Sequence, residues 1–234
     1  MRKSKYIVIF LLFGLVNLFA EANRYGVKSG MVEYEISGKG NVMGSETSVS
    51  GTSKLYFKDF GTVELTDEKI QQTVMGEKEE ERTVSKIAAD KVYTVDFTEN
   101  IIYIQKMFED EENATLNAKS TEAFISMGAK NLGTEEILGY MCDVWQLGED
   151  KIWVYNSVPL KLISQSLGLE QVQEAKLAVF NINIKDEKFK LPNFPIKAMD
   201  EILGEPDPDE MPPISAEQEK MMEDGMKQPG KSHK

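Results

Sequence analysis

The chain is poor in the residues that most enzyme chemistry depends on. Its 234 residues hold one histidine and one cysteine. The histidine, His233, stands next to the end of the sequence, so Ser–His–Asp triads, Cys–His pairs and His-ligated zinc find no partners. A lone Cys142 excludes an intramolecular disulfide. It is either a reactive or bridging thiol or, as is commoner for free cysteine, a small buried strand residue. Beyond residue 22, arginine occurs only as Arg24 and Arg82, which speaks against a dedicated phosphate or carboxylate clamp. Basic charge is scarce altogether: Lys and Arg total 27 against 39 Asp and Glu, for a net charge of −12. So acidic a surface repels phosphate backbones and anionic headgroups, and nucleic acid is not expected as a partner.

What is present begins with the first 22 residues. Arg2, Lys3 and Lys5 precede an apolar run from Tyr6 to Val16 that continues through Leu18 and Phe19. Ala20 and Ala22 then stand at −3 and −1 of a cut before Asn23. Cations, a short apolar segment and a small-residue site make a secretory signal peptide over residues 1–22, cleaved between Ala22 and Asn23. No cysteine stands at the cut and no second apolar run appears. The expectation is a product released to the periplasm of a Gram-negative bacterium, or secreted, without stable membrane insertion.

Period-two alternation dominates from Ser29 to Ile184. In Met31–Ile36, Val32, Tyr34 and Ile36 share one face; Ser37–Asn41 reads as a turn; Thr47–Phe57 is a strand with Leu55 and Phe57 inward. Further strands are expected at 62–65, 70–75, 83–88, 92–97, 101–105, 141–147, 151–155, 160–164 and 171–184. Short connections rich in Gly, Asp and Asn suit hairpins, so these strands read as an antiparallel meander. The exception is Asn117–Met127, where Ala118, Phe124 and Met127 recur at helical spacing and Gly128 ends the run. Ile101–Ile104 and Ile152–Tyr155 are apolar on both faces, so either a helix covers one face or the sheet curls around apolar space. The fold expected is mainly β (α+β): a single antiparallel, strongly curved sheet, an open half-barrel, with an inserted helix, over residues 23–203.

Residues 204–234 differ in kind. Five of the eight prolines fall here, with several methionines and acidic residues, the composition of a flexible tail. Within it, Ser215–Met226 has a capping pattern for a helix. Its methionines lack a nearby histidine, so no metal and no cofactor is expected. Glu109–Glu112 reads as a solvated turn, without the ligand spacing of a calcium loop. Asn113-Ala114-Thr115, with Glu111 two positions earlier, makes Asn113 a glycosylation candidate in a predicted loop. Gly38-Lys39-Gly40 joins two strands and is no phosphate loop.

One stretch carries a family likeness. Gly133-Thr134-Glu135-Glu136-Ile137-Leu138-Gly139-Tyr140-Met141-Cys142 resembles the G-x-E-x-I-x-G-Y-x-C segment of a family of uncharacterised exported β domains. A Trp-bearing strand, Lys151–Tyr155, then Val158–Leu162 and Asp186–Pro192 follow in the same order. The order of elements resembles the LolA/LolB-like lipoprotein-carrier superfamily, although neither Arg24 nor Arg82 falls in a matching motif. The resemblance implies a concave apolar face holding an acyl chain or other lipid. Tyr103, Phe124, Met127, Trp145, Trp153 and Tyr155 are the candidate cavity residues, and the expected role is a non-enzymatic carrier or sensor. The alternative is an envelope interaction module with a solid core, whose tail recruits protein partners.

Overall fold

A computed structural model describes residues 24–42, 44–88, 90–106 and 120–199. The cleavage position at Ala22–Asn23, Asn113, the acidic run at 109–112, His233 and the whole of 204–234 lie outside these residues. The first compact unit of the chain runs to Lys197 and holds everything below except the last residue of the final strand.

The described chain is mainly β. Twelve strands form one sheet: β1 (Gly30–Val42), β2 (Ser45–Lys58), β3 (Val63–Val74), β4 (Glu77–Ala88), β5 (Lys91–Asp96), β6 (Ile101–Lys106), β7 (Lys130–Ile137), β8 (Tyr140–Leu147), β9 (Asp150–Tyr155), β10 (Val158–Ser166), β11 (Leu169–Phe180) and β12 (Ile196–Ala198). Their order is β12-β6-β5-β4-β3-β2-β1-β11-β10-β9-β8-β7. From β6 across to β7 every neighbour pairs antiparallel. The sheet has two free edges and does not close. One meander was expected; there are two, β1–β6 and β7–β11, joined along the central β1–β11 pair. Between β6 and β7 the chain crosses from one side of the sheet to the other, and among the described residues of that connection lies one seven-residue helix, α1 (Ser120–Ser126).

Hairpin chemistry explains the pairing. Met75-Gly76, Leu138-Gly139, Asn156-Ser157 and Leu167-Gly168 each have positive φ at both positions. Two such residues make the turns whose twist matches that of paired strands.

Three expectations need correction. Ser37–Asn41 is strand, not turn: β1 runs on to Val42, paired on both sides. Gly40 makes this possible, since a Cβ there would sit 2.0 Å from the Gly168 carbonyl oxygen. The separate strands at 62–65 and 70–75 are one, β3, because Asp67 is held mid-strand by a two-pronged contact from Arg82 on β4, at 2.9 and 2.8 Å. The strand expected to reach Ile184 stops at Phe180; the chain after it turns back to cover the sheet. β7 lacks alternation and is exposed along most of its length, so its pattern carries no periodic signal.

The core lies on both faces. On one, Val32, Tyr34, Leu55 and Phe57 pack with Cys142, Val144, Trp153, Val158 and Leu160. On the other, Tyr56, Leu65, Val84, Val95 and Ile102 are covered by Phe189, with Ile184, Leu191 and Phe194 packed beside it.

Candidate ligand cavity

The site starts from α1. Its C-terminus is a Schellman motif: Ala129 N–H bonds the Phe124 carbonyl and Gly128 N–H that of Ile125, both at 2.9 Å. Gly128 takes the left-handed conformation this requires, at φ +79°. The cap fixes where Phe124 and Met127 point. Phe124 stacks on Trp145 of β8 with ring centroids 5.4 Å apart and planes inclined by 13°. Met127, Ala129, Ile152 and Val154 complete this cluster.

Between helix and sheet lies a cavity of about 50 Å³. Phe124, Met127, Trp145, Ile152, Val154 and Leu162 supply its apolar lining; Arg24 and Tyr25 approach it, as do Asp150, Lys151 and Ser157. Sites that enclose whole organic ligands start at roughly 300 Å³. As it stands, the space does not admit an acyl chain.

A buried polar knot adjoins it. Arg24 donates from Nε to the Gly61 carbonyl at 2.9 Å and from Nη2 to Glu64 Oε2 at 2.8 Å. The Tyr25 hydroxyl donates to the same carboxylate oxygen at 2.6 Å. Burial, then the Glu64 charge, push the Tyr25 and Tyr34 hydroxyls well above their ordinary pKa. Both arginines beyond residue 22 thus do clamp carboxylates, but those of their own chain. The Trp145 indole differs. It is 3% exposed, and among the described residues its Nε1–H has no hydrogen-bond partner. A buried donor left unpaired costs about 1–3 kcal/mol.

The six predicted cavity residues separate into three groups. Phe124, Met127 and Trp145 line the cavity. Trp153 and Tyr155 belong to the core cluster instead: Trp153 donates to Glu135 at 2.7 Å under the Lys161 ammonium, and Tyr155 packs on Tyr140 and Phe180. Strand parity forces this, since Ile152 and Val154 alternate with Trp153 and Tyr155. Tyr103 sits on β6, half-buried opposite Thr94, away from the cavity-lining residues. Arg24, Ile152, Val154 and Leu162 were not foreseen; parity could have flagged the last three, but nothing local marks Arg24.

The quoted motif has structural reasons. Gly133, at φ +101°, sits where the β7–β8 register shifts, and Gly139 is the second residue of the hairpin turn. Glu135 receives the Trp153 N–H, and the Tyr140 hydroxyl donates to the Ala178 carbonyl at 3.3 Å. Cys142 is fully buried, and desolvation pushes its thiol up to about 11, so it is an inert strand residue.

Among the described carboxylates, Glu68 is the one strongly perturbed: burial, then the Glu81 charge, raise it to about 7. It shares strand β3 with the other buried acid, Glu64, rather than facing it across a cleft. Among the described residues no His, Cys, Asp and Glu cluster could hold a metal ion, and no helix is long and apolar enough to cross a membrane.

No family model and no curated protein matches the chain. Among solved structures, an uncharacterised conserved protein from Thermus thermophilus matches at 7% identity and TM-score 0.40, covering 71% of this chain and 90% of that one. MucB matches at 12% identity and TM-score 0.37, covering 77% and 62%. A putative outer membrane lipoprotein-sorting protein domain from Vibrio parahaemolyticus matches at 10% identity and TM-score 0.27, covering 69% and 89%. TM-scores this low carry no argument about fold, ligand or partner.

Proposed function

We propose that this protein is a non-enzymatic binding protein of the bacterial envelope, periplasmic or secreted, which carries or senses a hydrophobic ligand such as an acyl chain. The observation that supports it is the apolar cavity beneath α1, lined by Phe124 and Met127 from the helix. The sheet acts as an open half-barrel. Tyr140 on β8 reaches the Ala178 carbonyl of β11 and packs on Phe180 at 4.9 Å. In a flat sheet those strands stand about 14 Å apart at three spacings of ~4.8 Å, so this half curls inward. A longer ligand enters by displacing α1, which frees the volume now filled by Phe124 and Met127.

The small volume itself favours a second reading. An interaction module with a solid core would look like this region if α1 never lifts, with the 204–234 tail recruiting partners.

Native mass spectrometry of protein purified from its own periplasm, followed by lipid extraction, separates the two. Carriage predicts co-purifying acyl-containing mass, lost in Met127→Glu, a half-buried cavity position. Trp153 is unsuited to that test because it holds the core. A clean apoprotein that also refuses a fluorescent fatty acid leaves the module.

A further inference from the structure

Trp145 and Trp153, the two tryptophans of the chain, are both almost fully buried, yet only one is satisfied. Trp153 Nε1 donates to Glu135. Trp145 Nε1 meets no acceptor among the described residues, and its ring lines the cavity. Buried donors are almost always paired, so a solitary one in a cavity wall is an address for a missing acceptor.

We propose that the cavity beneath α1 takes the neutral carbonyl of an ester or amide at the head of an acyl chain, with Trp145 Nε1–H donating to the carbonyl oxygen. This rests on the hydrophobic-ligand reading above and names the group recognised. The acceptor is neutral because the buried cation nearby is already matched, and Asp150, also in the lining, would repel an anion. Arg24 commits its guanidinium to Glu64 and the Gly61 carbonyl. Asp150 Oδ1 accepts from Gln165 N–H at 2.9 Å, and Lys151 is exposed. An incoming carboxylate would be desolvated against apolar walls, and the one buried cation there, Arg24, is already committed to Glu64. A carbonyl oxygen needs only the one donor on offer, while Ile152 and Val154 receive the start of the chain in the volume that Phe124 vacates with α1.

The test uses small probes on the mature protein. With two tryptophans, the indole region of a ¹H–¹⁵N correlation spectrum holds two signals; Trp145→Phe assigns them or, where that variant fails to fold, proximity to the Phe124 ring does. Methyl hexanoate should move the Trp145 signal downfield and leave that of Trp153 in place. Acetophenone should bind roughly tenfold more tightly than ethylbenzene, its near-isostere without the carbonyl, as one hydrogen bond to an otherwise orphaned donor warrants. Methyl hexanoate should also outcompete hexanoate. Equal binding of acetophenone and ethylbenzene with a stationary indole signal overturns the recognition role while hydrophobic binding survives. Preference for hexanoate overturns the neutral acceptor. Failure of every probe to bind brings down the hydrophobic-ligand reading as well.

Discussion

Each half of the sheet has a face covered by chain that is not strand, and the two covers are built differently. Over β2–β6 lies the extended segment after β11, which brings Phe189, Leu191 and Phe194 onto Tyr56, Leu65, Val84 and Ile102. It is pinned at both ends: Ser29 Oγ donates to the Ile182 carbonyl at 2.6 Å, and Ile102 N–H donates to that of Pro195 at 2.8 Å. Lys58 and Lys188 add cations over the Phe189 and Tyr56 rings. Over β8–β10 the cover is α1, seven residues long, with Phe124 as its buried anchor. There a cavity and an unpaired indole remain. The first cover closes the core, while the second leaves room to be filled or lifted.

The comparison breaks most visibly through the two anchors. Phe189→Ala should cost about 4 kcal/mol in urea unfolding, the range of a large-to-small change in a site that cannot collapse. Phe124→Ala should cost about half of that, since α1 can settle onto the existing space, and it should raise uptake of a fluorescent fatty acid. Equal losses would mean that the helix is as firmly built in as the extended cover.

Glu68 offers a slightly smaller effect with a definite sign. Its folded pKa, near 7, exceeds the usual carboxylate value, so the folded state holds the extra proton. Stability therefore falls as pH rises from about 4.5 to 7 and stays low above it, by about 3 kcal/mol at 1.36 kcal/mol per unit. Glu68→Gln should recover that amount at pH 8 and change little at pH 4. A flat pH profile for the difference between the two proteins would show that Glu68 ionises freely.

The smallest change tests the helix cap. A Cβ at Gly128 meets nothing within 4 Å, so Gly128→Ala costs only the left-handed backbone, about 1 kcal/mol. If α1 is a lid, that loss should appear as faster ligand exchange with the melting temperature of the sheet nearly unchanged. A matching drop in both would tie the helix to global folding.

Much of this was legible in the residues. Val32, Tyr34 and Ile36 alternate because successive strand residues point to opposite faces, and all three are buried. Gly76, Gly139 and Gly168 announce hairpins because a second residue at positive φ is cheapest as glycine. Helical spacing and the Gly128 stop marked Phe124 and Met127 as one face of a helix, but that this face meets Trp145 was not legible. β7 was not visible as a strand, because an exposed edge puts no demand on alternation.

Sequence alone therefore determined most of the strand content, many of the turns and the helix before Gly128, since each follows from backbone geometry or composition within a few residues; the burial that makes Cys142 inert came from the fold. Tertiary structure decided what distance along the chain conceals. It split the expected meander in two around the β1–β11 pair. It sent Trp153 into the core and Trp145 to the cavity, and it brought Arg24 to Glu64, 40 positions away. Local periodicity says that a residue is buried; which partner it meets depends on the closing of the whole sheet, and no short stretch of sequence encodes that.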